Sequence, residues 1–214
     1  MQRLLDKGLE ELTTMVYKMG KAAEKALAIS IRGFLESRDT SKDLQELSEI
    51  LVGNTVEVEE KAFSLIAKYQ PVASDLRIIN SYMKVAYDFE RYGRYAWDIS
   101  FISTHFNQKS TCDKWIFDYI EKMGEKVLQM VAISINSLKS LDTELVKKIN
   151  RAERAVDDMY VKFLDKLVKE AGITNDCTVS STLVVRYLER TADHATHIME
   201  AVVYIATGKQ VTLR

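Results

Sequence analysis

Apolar residues recur along this chain at steps of three and four, in four long stripes. One runs Leu44, Leu47, Leu51, Val58, Ala62, Leu65, with a gap at Asn54, and a second runs Ile78, Tyr82, Val85, Phe89, Tyr92, Ala96. The third is Leu145, Ile149, Ala152, Val156, Met159, Phe163, Leu167, and the fourth is Val184, Leu188, Ala192, Ala195, Met199, Val202. Such steps keep each set on one face of an α-helix, whereas a half-buried strand would alternate in twos. One proline and eight glycines in 214 residues leave few breakers, so long helices are expected. Breaks fall at Ser37–Ser41, at Gln70-Pro71, around Thr104–Gln108, at Ser140–Asp142 and at Gly172–Asn175. The pattern predicts six helices over 3–36, 42–69, 72–104, 112–140, 143–171 and 178–206. Pro71 is placed in the first turn of the third, where its missing N–H costs nothing.

The second half of the pattern restates the first. Lys18-Met19-Gly20 and Ala28-Ile29-Ser30-Ile31 recur as Lys122-Met123-Gly124 and Ala132-Ile133-Ser134-Ile135, both 104 residues on. The window from Asp88 to Ile99, with Glu90-Arg91 near its start, recurs 99 residues later from Tyr187 to Ile198, with Glu189-Arg190. Two phrases sharing one offset argue for an internal duplication whose second copy is shorter in the middle. Helices of this length exceed those of a helix-pair array with a period of about 34 residues. The expected fold is therefore all-α, two tandem three-helix bundles of long antiparallel helices set side by side. The first repeat is assigned to residues 1–106 and the second to 107–214.

Composition narrows the function. Hydrophobic content of 47% with 29% charged residues describes a folded, water-facing protein. A net charge of −1 lacks the basic excess of a dedicated nucleic-acid binder. Cys112 and Cys177 are far apart and without CxxC spacing, so a thiolate zinc site is not expected and reduced thiols in a cytoplasmic setting are the default. The first residues, Met1 to Lys7, turn polar at once, unlike a signal peptide. No apolar run approaches the roughly 18 residues that span a bilayer, so any role at a membrane would be through another protein there.

The candidate chemistry is carboxylate. Glu189 and Asp193 are four apart on the sixth helix, and Glu153 and Asp157 are four apart on the fifth, so each pair leaves one helical face. All four sit one residue after a stripe member, at the flank of the apolar face. Asp157 lies 14 residues before Ala171 and Glu189 lies 11 after Thr178, which sets the pairs at similar depth if the two helices are antiparallel neighbours. Four such groups repel one another unless a cation intervenes, and an oxygen-rich site suits magnesium, manganese, calcium or iron. The plain alternative is a solvated acidic face. His197 shares the Glu189/Asp193 face and reads as an added ligand or a surface histidine. Counting from Pro71, the equivalent positions of the first repeat are Ser48, Val52, Glu90 and Arg94, where Arg94 is placed to neutralise Glu90. The E-x-x-H pairs of a di-iron bundle enzyme are absent, as are a phosphate-cradling glycine loop and a nucleophile elbow, so no enzymatic activity is expected.

The phrase Gln70-Pro71-Val72-Ala73-Ser74-Asp75-Leu76-Arg77, followed by Asp88-Phe89-Glu90-Arg91-Tyr92-Gly93, resembles the PhoU family of phosphate-uptake regulators, and the resemblance covers almost the whole chain. It implies the duplicated three-helix architecture and E/D-x-x-x-D motifs that hold metal clusters. Carried onto this sequence, the metal ligands are Glu153, Asp157, Glu189 and Asp193, holding a divalent or trivalent ion (iron, manganese, magnesium or zinc), singly or as a cluster. The first repeat departs from that pattern at Ser48, Val52 and Arg94. The resemblance further implies a cytoplasmic regulator that contacts the ATPase subunit of a phosphate ABC transporter and a sensor histidine kinase, with a homodimer as a further expectation. Two other readings are an accessory subunit of a low-affinity phosphate permease and, from a different class, a metal-dependent helical-bundle enzyme.

Overall fold

The computed structural model describes residues 3–106 and 112–213. Six helices follow in chain order: α1 Leu4–Glu36, α2 Ser41–Tyr69, α3 Ala73–His105, α4 Lys114–Ser140, α5 Val146–Lys169 and α6 Asn175–Thr207. They match the expected six to within a turn. The expected break over 104–108 and the assigned boundary at 106/107 lie partly outside the described residues. The stops have local causes. Ser37, Gln70 and Leu141 take left-handed φ of 51°, 46° and 53° just after α1, α2 and α4, and Gly208 ends α6 at φ 72°, as helix C-caps commonly do. Pro71 precedes the α3 N-cap, Val72, so it serves the α2–α3 turn and not the first turn of α3. Thr174 caps α6 by accepting the Cys177 backbone N–H at 3.2 Å, which starts that helix three residues earlier than the stripe alone suggests.

α1, α2 and α3 form one bundle and α4, α5 and α6 the other; the two join through α1 against α4 and α3 against α6, while α2 and α5 pack with helices of their own repeat. The stripes are the core. Val184, Leu188, Ala192, Ala195, Met199 and Val202 are all buried, as are Tyr82, Val85, Phe89, Tyr92 and Ala96. The gap at Asn54 is closed by Thr55, whose hydroxyl donates to Leu51 O at 3.1 Å and so needs no outside partner.

The duplication is visible where the bundles meet. A Cβ on Gly20 would stand 3.1 Å from Ile135 Cγ1, and one on Gly124 would stand 3.0 Å from Ile31 Cγ2. Gly20 and Gly124 are equivalent, as are Ile31 and Ile135, so α1 and α4 cross by a reciprocal glycine–isoleucine fit. At the α3–α6 seam, Tyr95 Oη lies 3.1 Å from His194 Nε2, and these two residues are again one repeat offset, 99 positions, apart.

The cysteines correct the sequence reading. Cys112, just before α4, and Cys177, in the first turn of α6, form a disulfide. In a three-helix bundle the first and third helices run parallel, so residues at their N-terminal ends are neighbours despite a separation of 65. The thiols are therefore paired, where isolated and reduced ones were expected. Among the described residues, no helix is long and apolar enough to cross a membrane.

Candidate metal centre and the inter-repeat seam

α5 and α6 run antiparallel and bring the acidic pairs together. Glu153, Asp157 and Asp193 each offer an oxygen within 4.8 Å of the others. They share a surface depression of about 310 Å³ with Arg154, Arg186 and Glu189. The four residues are unequal. Glu153 is 3% exposed and replaces a stripe position, so it is no flank residue; Asp157 stands at the exposed rim, and Asp193 is intermediate. Glu189 lines the same depression, but Arg186 Nη1 donates to its Oε2 at 2.7 Å. Burial first, then the charge of Asp193 and more weakly that of Asp157, push the Glu189 carboxyl above the usual carboxylate range, while Arg186 pulls it back. Mutual repulsion among these groups is thus felt at Glu189, and it is the interaction a bound cation would reverse. The residues fit a hard ion: an oxygen-only set, one member buried and one open to solvent.

In the first repeat, Ser48 is buried, Val52 is exposed, and Glu90 is the one carboxylate at the four equivalent positions. Arg94 does not pair with Glu90 in the way its sequence position suggested. Its guanidinium lies 3.8 Å from Asp98, one turn on, and 4.9 Å over the Trp97 ring.

The histidines form a group of their own. His197 does not join the carboxylate group; with His194 it faces Asp88 of α3 across the seam. His194 Nδ1 lies 2.7 Å from Asp88 Oδ1, and His197 Nδ1 lies 3.9 Å from the same oxygen. Arg190 Nε donates to Tyr95 Oη at 2.9 Å, which ties the seam to the residue after Glu189. Sequence reasoning missed Asp88 because it belongs to the first repeat. The signal was present in the offset that pairs Tyr95 with His194, which marks both as seam positions.

A family model described as the PhoU domain matches residues 16–102 and 120–202. The chain is 30% identical to a phosphate-specific transport system accessory protein PhoU homolog of Clostridium acetobutylicum, over 99% of this chain and 98% of that protein. It is 29% identical to the protein of the same description in Synechocystis, over 96% and 92%. Among solved structures, PhoU from Pseudomonas aeruginosa superposes with a TM-score of 0.88 at 23% identity, over 95% of this chain and 99% of that one. The phosphate transport system regulatory protein PhoU from Streptococcus pneumoniae does so at 0.88 and 19%, over 97% and 99%.

Proposed function

The chain belongs to the PhoU family, and from that premise we propose that it regulates phosphate uptake by docking, from the cytoplasmic side, onto a phosphate ABC transporter. The observation that carries this reading is the match over nearly the whole length to accessory proteins of phosphate-specific transport systems. The transporter's ATPase subunit is the partner, with a sensor histidine kinase as a second one, and the two repeats are its two domains. Protein contact suits the surface: Val52, Val56 and Phe63 are exposed along one side of α2, a strip of apolar area on a helix that packs against α1 and α3 of its own repeat.

The Glu153, Asp157, Glu189 and Asp193 group is the metal site of this reading. A hard divalent or trivalent ion there would place positive charge on an acidic surface and change its electrostatic match to a partner. Glu153 anchors the site from the core, Asp193 joins it from α6, Asp157 presents it at the rim, and Arg186 holds Glu189 beside it. A binding titration of the purified protein with the transporter's ATPase subunit tests the proposal, alongside phosphate uptake in phosphate-replete cells lacking the gene. Complex formation and raised uptake are expected. No complex together with unchanged uptake would refute it, and a complex with a low-affinity permease instead would favour the accessory-subunit reading.

A further inference from the structure

We propose that Asp88, His194 and His197 form a second metal site of different chemistry, across the seam between the repeats, for a zinc-class transition metal ion. The three residues each offer one ligand atom within 4.8 Å of the others. Spacing of three on α6 puts both histidines on one face, and the α3–α6 contact brings Asp88 opposite them. Both imidazoles aim Nδ1 at the same carboxylate oxygen, at 2.7 and 3.9 Å. In a tetrahedral site with metal–ligand bonds of about 2.0–2.1 Å, ligand atoms stand roughly 3.3 Å apart. One separation must therefore open by about half an ångström and the other close by about as much, within reach of small side-chain rotations. Two imidazoles and one carboxylate select zinc, cobalt, nickel or ferrous iron, not magnesium or calcium.

The surroundings support that assignment. Asp88 is 7% and His194 8% exposed, so the carboxylate is removed from water and its two described ion-pair partners are imidazoles. His194 Nε2 is 3.1 Å from Tyr95 Oη, itself held by Arg190 Nε at 2.9 Å. That anchors the ring and leaves Nδ1 for the ion, the outer-shell arrangement that metal-bound histidines use. When the ion takes Nδ1 of a neutral imidazole, the ring's one N–H stands on Nε2 and faces Tyr95 Oη. Access is provided. Asp88 and His197 line a cleft of about 740 Å³ shared with Lys84, Glu200 and Tyr204, and the His197 side chain is 43% exposed. The remaining coordination positions open towards that cleft.

The test separates this site from the carboxylate patch. Untagged protein carrying Glu153→Gln, Asp157→Asn and Asp193→Asn is titrated with cobalt(II), whose visible d–d bands strengthen in a tetrahedral histidine-containing site, and with zinc in competition. One equivalent of cobalt is expected, with strong bands, and zinc displaces it. Adding His197→Gln, at a half-exposed position and with circular dichroism checking the fold, should weaken cobalt at least tenfold, and Asp88→Asn should do the same. His105→Gln, the third histidine, should change nothing. Absence of stoichiometric cobalt in the triple variant, or an affinity unmoved by His197→Gln, would overturn the proposal. Failure of the carboxylate site would leave this outcome untouched, because the triple variant already lacks it.

Discussion

At the scale of single residues, Glu189 reports the state of the acidic group. Its carboxyl titrates above the ordinary range because burial and its neighbours Asp193 and Asp157 disfavour the charge. A raised carboxylate pKa in the folded state means that the folded protein binds the proton more tightly than the unfolded chain. The charge therefore costs stability at neutral pH, and the cost fades as pH falls through the raised pKa towards the unfolded value of about 4.3. In chelated protein at pH 7, Glu189→Gln should raise Tm by on the order of 2 °C, and the difference should vanish below about pH 4. A scan of Tm against pH for both proteins checks it; a Tm lowered at pH 7 would mean that the Arg186 pair outweighs the repulsion. The acidic site was legible because spacing of four and depth from the turn are one-dimensional facts. The burial of Glu153 was not, since a glutamate one step from a stripe reads as flank, and only the packing of α4 and α6 on α5 shows which step faces inward.

At the scale of helices, the glycines separate packing from propensity. Gly53 sits exposed in α2 with nothing within 4 Å of an added Cβ, so Gly53→Ala should gain about 0.5–1 kcal/mol from helix propensity alone. Gly20 is the opposite case: a Cβ there would stand 2.8 Å from Phe89 Cζ and 3.1 Å from Ile135 Cγ1, and both side chains are fully buried. The same propensity gain is then outweighed by overpacking of typically 1–3 kcal/mol, and Gly20→Ala should destabilise. Urea unfolding of the two variants gives opposite signs on this account; a stabilised Gly20→Ala would show that α1 and α4 can separate freely. The helices themselves followed from the stripes and the shortage of breakers. Their ends were less legible, because left-handed caps at Ser37, Gln70 and Leu141 carry no glycine to announce them.

For the whole molecule, the disulfide is the element that local pattern could not supply. Cys112 and Cys177 looked unrelated at a separation of 65 residues, although parallel first and third helices bring their starting turns together. Closing a loop of that length stabilises by about 4 kcal/mol in the chain-entropy account. A reductant should therefore lower Tm of the wild-type protein by several degrees and leave Cys112→Ser/Cys177→Ser unmoved; equal melting of the wild type with and without reductant would count against a bridge in solution. The carboxylate centre is the claim on which the regulatory account turns, and elemental analysis after loading with manganese, an ion suited to oxygen ligands, addresses it most directly, on the wild type and on Glu189→Ala/Asp193→Ala. The account predicts at least one such ion per wild-type chain and its loss in the variant. Wild-type protein without stoichiometric manganese, or a variant with the same content, would contradict it and reduce the four carboxylates to a solvated face.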